Sequence, residues 1–260
     1  MNYLIVGASG ATGRLLTEQL LERGHFVKVI VRSPEKLPET VKNHENLSVI
    51  RAAVLDLSDA EMAQHVNGVD AVASCLGHNI TFKGMYGHPR KLVTDTTRRL
   101  CQAIRANNAE GKTKFVLMNT TGNSNRDLNE PRTLAEKAVV GLLRLVLPPH
   151  VDNEQAADYL RTEVGQKDSQ IEWTAVRPDG LIDEDTVTDY DLHPSPIVSP
   201  IFNSGTTSRI NVAHFMADLM TDEDCWEKWQ GQMPVIYNQA QDSAPSQANA
   251  SHSPSSLSNA

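Results

Sequence analysis

Val6-Gly7-Ala8-Ser9-Gly10-Ala11-Thr12-Gly13-Arg14 is the stretch whose reading decides the fold. The apolar run from Tyr3 to Val6 precedes it, and a helical pattern from Arg14 to Glu22 follows, stopped by Gly24. A chain that leaves a strand through glycines and restarts as a helix presents unpaired amides and a partial positive charge at the turn. A pyrophosphate fits there. Gly7 permits the tight turn, Gly10 lets backbone approach a phosphate, and Gly13 allows close packing of helix on strand. Ser9, Ala11 and Thr12 belong to the same candidate cradle. The spacing is G-x-x-G-x-x-G, and a plain βα turn reads the same way. The strand before it and the helix after it favour the dinucleotide.

Outward from that turn, segments rich in Val, Ile and Leu alternate with helical patterns, the rhythm of a parallel sheet covered on both faces. Strands are expected at Phe26 to Val31, Leu47 to Leu55, Ala71 to Leu76, Lys114 to Met118, Ile171 to Val176 and Met233 to Tyr237. Helices are expected after the Ser58–Glu61 capping box, at Lys91 to Asn107, Thr133 to Leu147, Asn153 to Val164, and Ile210 to Met220 capped by Asn211. Pro148-Pro149 reads as a break between two of them, and His78 to Pro89 and Asp179 to Arg209 read as loops. The fold class is α/β: a Rossmann-like doubly wound parallel sheet in one domain over residues 1–237, with a small loop-rich C-terminal substrate region. Residues 238–260, almost without apolar bulk, read as a disordered tail.

Specificity is read at the end of the second strand. An acid there binds ribose hydroxyls and repels a 2′-phosphate, whereas an arginine accepts it. The chain has Arg32, with Ser33 and Lys36 close behind, so NADP(H) is expected over NAD(H). Asp56, which reads as the end of the third strand, is a candidate for the adenine amine, with Leu57 beside it; a helix-capping aspartate is the alternative. Gly77 ends the fourth strand where the nicotinamide half would pass.

Composition narrows the partners. A net charge of −8 over 260 residues argues against nucleic acid or an anionic membrane, both of which need a concentrated basic face. No apolar run approaches the roughly 20 residues of a membrane span. Cys75, Cys101 and Cys225 are few and odd in number, as free thiols in a reducing cytoplasm would be. The histidines show no metal-ligand spacing, so no metal site is expected.

Together these residues resemble the atypical short-chain dehydrogenase/reductases, most closely the NAD(P)H-binding, NmrA-like branch. The resemblance rests on residues 7–14, on Val29 to Leu37, on Asp56, on Ser74 to Gly77 and on Trp173-Thr174-Ala175-Val176-Arg177-Pro178-Asp179-Gly180-Leu181. It implies bound NADP(H) and a substrate pocket over the nicotinamide built partly from C-terminal segments. Classical members carry a Tyr-x-x-x-Lys pair for proton relay. Here Tyr3, Tyr86, Tyr159, Tyr190 and Tyr237 all lack a lysine four residues on, and Asn153 stands where many relatives have lysine.

Hydride transfer needs chiefly a positioned acceptor, so the missing pair does not exclude an enzyme. Thr120 and Thr121, after the fifth strand, are candidate proton donors, with turn hydrogen bonding as the alternative. His78, past Gly77, is a third candidate, and a solvated loop histidine its alternative. Arg177 is expected to anchor a carboxylate or backbone carbonyls where the chain bends at Pro178, with substrate contact as the alternative. Two functions stay open: an NADPH-dependent oxidoreductase acting on a small carbonyl, quinone or flavin-like acceptor, and a non-catalytic NADP(H)-sensing regulator presenting its C-terminal loop to a protein partner.

Overall fold

The computed structural model describes residues 1–78, 81–108 and 110–239. Its first half repeats strand and helix: β1 (Asn2–Val6), α1 (Ala11–Glu22), β2 (Phe26–Val31), α2 (Glu39–Lys42), β3 (Leu47–Arg51), α3 (Asp59–Val66), β4 (Ala71–Ser74), α4 (Phe82–Tyr86) and α5 (Leu92–Asn107). The second half runs β5 (Thr113–Met118), α6 (Leu134–Val146), α7 (Pro148–Tyr159), β6 (Ile171–Pro178), β7 (Gly180–Ile182), β8 (Tyr190–His193), β9 (Thr206–Ser208), α8 (Arg209–Thr221), α9 (Glu223–Trp229) and β10 (Val235–Asn238).

The main sheet has the order β3-β2-β1-β4-β5-β6-β10-β8. Every pairing from β3 to β10 is parallel, and β8 closes the edge antiparallel to β10. The order reverses between β1 and β4, and such a switch point opens a crevice at the strands' C-terminal edge. Alternation along β1 assigns the layers: Tyr3 and Ile5 pack with Leu16 and Leu20 of α1 and Phe215 and Met216 of α8. Leu4 and Val6 face the other way, onto Met62 of α3, Leu100 of α5 and Ala156 of α7. The Rossmann-like sheet expected from the sequence is therefore present. Among the described residues no helix is long and apolar enough to cross a membrane.

Several boundaries differ from expectation, each for a local reason. β3 stops at Arg51, because a turn closes from the Asp56 amide to the Ala53 carbonyl at 2.9 Å and sends Val54 into the layer of Met62. Pro148 and Pro149 mark the expected break after α6, but the next helix starts on them and not at Asn153. They start α7, where a missing amide costs nothing, and π-helical turns carry it on over Leu160–Val164. The cap of α8 is Ser208, whose hydroxyl accepts from the Asn211 amide; Asn211 itself is buried, bonded to Thr188 and Asn238. The supposed loops hold α4 and, beyond Asp179, the small parallel pair β7–β9 together with β8. The α3 capping box between Ser58 and Glu61 is present as expected. Of the expected tail, residues 240–260 lie outside the described residues.

Candidate dinucleotide site

The glycines act at the turn in different ways. Gly7 has φ +84°, and a Cβ there would lie 2.5 Å from the Cys75 carbonyl group at the end of β4. A Cβ on Gly13 would lie 2.3 Å from the Gly7 carbonyl oxygen, so α1 rests directly on the turn. At Gly10 the nearest atom would be 3.2 Å away. Gly10 is the N-cap and supplies no side chain, and the first turn of α1 holds no acid. Among the described residues its amides thus have no side-chain acceptor while their dipole faces the crevice, the condition in which a phosphate oxygen completes a helix. Thr12 is buried within that turn, while Ser9 and Ala11 are exposed at its surface.

Arg32 follows β2 next to this cradle, exposed, and among the described residues it makes no hydrogen bond or ion pair. Ser33 and Lys36 bracket a 3-10 turn closed by the Lys36 amide on the Ser33 carbonyl at 3.1 Å. Hydrogen bonds from its backbone and from Ser33 hold the neighbouring Glu35 carboxyl below its usual range. Asp56 is not at a strand end. It is exposed, five positions beyond β3, while Ala52 and Ala53 occupy the sheet edge; Leu57 is half-buried against the α3–α5 layer. The premise that placed Asp56 at the adenine was an overlong third strand.

On the far side of the switch point, Gly77 is exposed and a Cβ would meet nothing within 4 Å. Its neighbour His78 is not a solvated loop residue. Its Nε2 lies 2.7 Å from Asp152 Oδ2 and its Nδ1 3.2 Å from the Gly84 carbonyl oxygen. The Asp152 hydrogen bond, opposed by burial, raises the imidazole above its usual range. Burial acts to raise Asp152, but bonds from His78, Thr94 and Val93 outweigh it and leave the carboxyl below its usual range. Asp152 also takes the Val93 and Thr94 amides at 2.8 and 2.9 Å, so a carboxylate of α7 caps α5.

The turn after β5 carries both threonines, with different engagements. The Thr121 hydroxyl donates to Asp179 Oδ1 at 3.0 Å; burial raises the Asp179 carboxyl despite the Gly205 amide bonded to its other oxygen. Thr120 Oγ1 accepts from the Gly122 amide at 3.2 Å, which leaves its own proton available. Asn119 ties this turn to α7 through the Asn153 carbonyl at 3.0 Å. His150, one turn earlier on α7, is buried, with Cε1 and Nδ1 at 3.5 and 3.7 Å from where a Gly122 Cβ would sit. The structure thus gathers Thr120, Thr121 and His78 at one sheet edge with Gly77, and adds Asp152, Asp179 and His150. Sequence reasoning missed those three. For His150 the signal was a glutamate four residues on, in a helix whose start had been placed too late.

Residues 7–223 match the NAD(P)H-binding family. The chain belongs to that family. A chloroplastic protein of Arabidopsis thaliana, itself uncharacterised, is 29% identical over 223 residues, which are 85% of this chain and 72% of the relative. A short-chain dehydrogenase/reductase of Veillonella parvula in complex with NADP superposes with a TM-score of 0.65 at 17% identity, covering 91% of this chain and 94% of that one. A candidate NADH-flavin reductase of Streptococcus pneumoniae superposes with a TM-score of 0.62 at 20% identity, covering 92% and 100%. The cradle, its tight Gly7 and Gly13 contacts and its uncapped helix fit the dinucleotide that this NAD(P)H-binding family takes.

Arg177 holds the C-terminal side of the site together. It is wholly buried, and its Nη2 lies 2.7 Å from Glu130 Oε1. It also donates to the carbonyls of Met233, Asn123 and Pro194 at 2.7, 2.9 and 3.0 Å. The expected anchoring of a carboxylate and carbonyls is what is found. One guanidinium joins the end of β6, the post-β5 segment, the loop after β8 and the entry to β10.

Proposed function

We propose that the protein is an NADPH-dependent oxidoreductase of the atypical short-chain dehydrogenase/reductase kind, close to its NmrA-like branch, acting on a small carbonyl, quinone or flavin-like acceptor. The observation that carries the cofactor preference is Arg32: an exposed guanidinium at the end of β2, without a hydrogen bond or ion pair among the described residues, and with no acid in the strand. Gly7, Ser9, Gly10, Ala11, Thr12 and Gly13 would hold the pyrophosphate, and Arg32, Ser33 and Lys36 the 2′-phosphate. Leu57 and the backbone near Ala53 would border the adenine, and Gly77 the nicotinamide half. When bound, the reduced nicotinamide supplies hydride. The chain's share is to orient the acceptor and to manage a proton at the end of β5.

A structural neighbour in complex with NADP and another that is a candidate flavin reductase support this reading. Three free thiols and the acidic net charge favour a reducing cytoplasm and a small-molecule partner over nucleic acid or membrane. The test is incubation of the purified protein with NADPH and a panel of quinones, flavins and aldehydes, followed by absorbance at the reduced-nicotinamide band. Turnover is expected with at least one acceptor class. Tight NADPH binding with no turnover across the panel would instead identify a cofactor-sensing regulator with a protein partner.

A further inference from the structure

We propose that His150 is the proton donor of this site, delivering from Nδ1 to an acceptor oxygen seated in the space beside Gly122. The proposal rests on the oxidoreductase reading above. α7 crosses the end of β5, held there by the Asn119–Asn153 bond, and points His150 at the post-β5 turn. Gly122 has no side chain, and the position its Cβ would take is 3.6 Å from Thr120 Oγ1 and 3.7 Å from His150 Nδ1. The Thr120 hydroxyl and an imidazole nitrogen of His150 therefore flank the same methyl-sized position beside Gly122, at the C-terminal edge of the sheet. Neither His150 nitrogen makes a hydrogen bond among the described residues, and its Nε2 is buried with no hydrogen-bond partner there. A buried histidine with no structural hydrogen bond is expensive to keep for packing alone.

The ring is held from behind. Nε2 lies 3.6 Å from Glu154 Oε1, one helical turn on, and both carboxylate oxygens of Glu154 take Arg144 of α6 at 2.8 Å. A small closure of that gap gives carboxylate–imidazole–acceptor, in which the carboxylate fixes the tautomer and stabilises the imidazolium. The charged groups around the ring are Glu154 on its own helix, Arg144 on α6 and Arg132 on the segment before α6. Arg132 donates to the Gly122 carbonyl at 2.8 Å, and so braces the turn from the other side.

In the step, the Nδ1–H bond of the imidazolium breaks and an O–H bond forms on the acceptor. A bound reduced dinucleotide would supply the hydride to the carbonyl carbon, so that the carbonyl π pair becomes the oxygen's bond to the new proton and the product is an alcohol. The neutral imidazole regains its proton from water. Burial, opposed in part by Glu154, sets the imidazole below its usual range, so the rate is expected to fall as pH rises through a value under about 6.5.

The experiment compares wild type with His150→Gln, Glu154→Gln and Gly122→Ala in full-length protein. NADPH affinity and melting temperature are measured alongside rates, and the His150 ring is titrated by NMR without cofactor. His150→Gln is expected to lower kcat on an aldehyde about 100-fold or more and to abolish the fall in rate with rising pH, with NADPH affinity unchanged. Glu154→Gln should move both the NMR titration and the fall in rate with rising pH to lower pH. Gly122→Ala, whose methyl meets the ring at ordinary contact distance, should raise KM with the fold intact. A His150→Gln protein that keeps rate and pH profile overturns the proposal while leaving the oxidoreductase reading standing. An NMR titration at or above the usual histidine range, unmoved by Glu154→Gln, overturns it without any turnover measurement. A wild type with no turnover overturns both readings.

Discussion

Replacing Glu130 by glutamine tests the junction on which the C-terminal side of the site depends. The change keeps size and the acceptor for the Asn125 amide, which Glu130 Oε2 now takes at 2.9 Å. It removes the one carboxylate bonded to Arg177, whose side chain is 0% exposed, as against 4% for Glu130. A guanidinium left there keeps three backbone carbonyls but no countercharge. Losing one partner of a buried pair costs about 3–5 kcal/mol, and the remaining carbonyls place this case near the lower figure. For a chain of this size each kcal/mol moves the melting temperature by about 2–4 °C, so a drop of roughly 6–12 °C is expected by calorimetry. The double variant Arg177→Met with Glu130→Leu should be more stable than Arg177→Met alone, because the latter strands a buried carboxylate. A loss under about 1 kcal/mol for Glu130→Gln, or strict additivity in the cycle, would refute the account of a coupled buried pair.

Further outcomes follow from the same geometry. Arg32→Ala should weaken NADPH by about 10–100-fold in a fluorescence titration, on the scale of about 1.5–3 kcal/mol for charged hydrogen bonds, and leave NADH nearly unchanged; equal losses would sink the specificity argument. Gly13→Ala pushes a methyl against backbone that cannot yield, so it should lower both melting temperature and NADPH affinity, and Gly10→Ala should do less. His78 has a raised folded-state pKa, so its contribution to stability is complete below the unfolded value of about 6.5 and is lost as pH rises through the folded one. Asp152, lowered in the fold, contributes above about 3.9 and loses that as pH falls. Urea melts of His78→Gln should therefore lack the decline that wild type shows above neutral pH, and a parallel decline in both would count against the His78–Asp152 bond.

The cradle was legible because its determinants are local: glycine at 7, 10 and 13 constrains backbone wherever the rest of the chain goes. Arg32 was legible for a similar reason, since β2 ends where its β-branched run ends. β3 was overread because Ala52 to Leu55 stays apolar, and apolarity alone does not separate a strand from a turn that buries Val54. His78 could be named only as a candidate, with a solvated loop residue as its alternative, because its partners lie 74 and 6 positions away, the first on a helix whose prolines look like a stop signal. The same prolines concealed His150. Tertiary pairing of polar groups leaves no periodicity to find.

The uncapped first turn of α1 has a consequence for the protein in a cell. Its N-terminal amides lack a side-chain acceptor among the described residues, so a bound phosphate would supply the cap of this helix. Binding to the folded state alone raises stability by about 2.7 kcal/mol when the ligand stands at one hundred times its dissociation constant. The folded fraction then tracks the supply of dinucleotide, and with it the lifetime of each copy against unfolding and proteolysis.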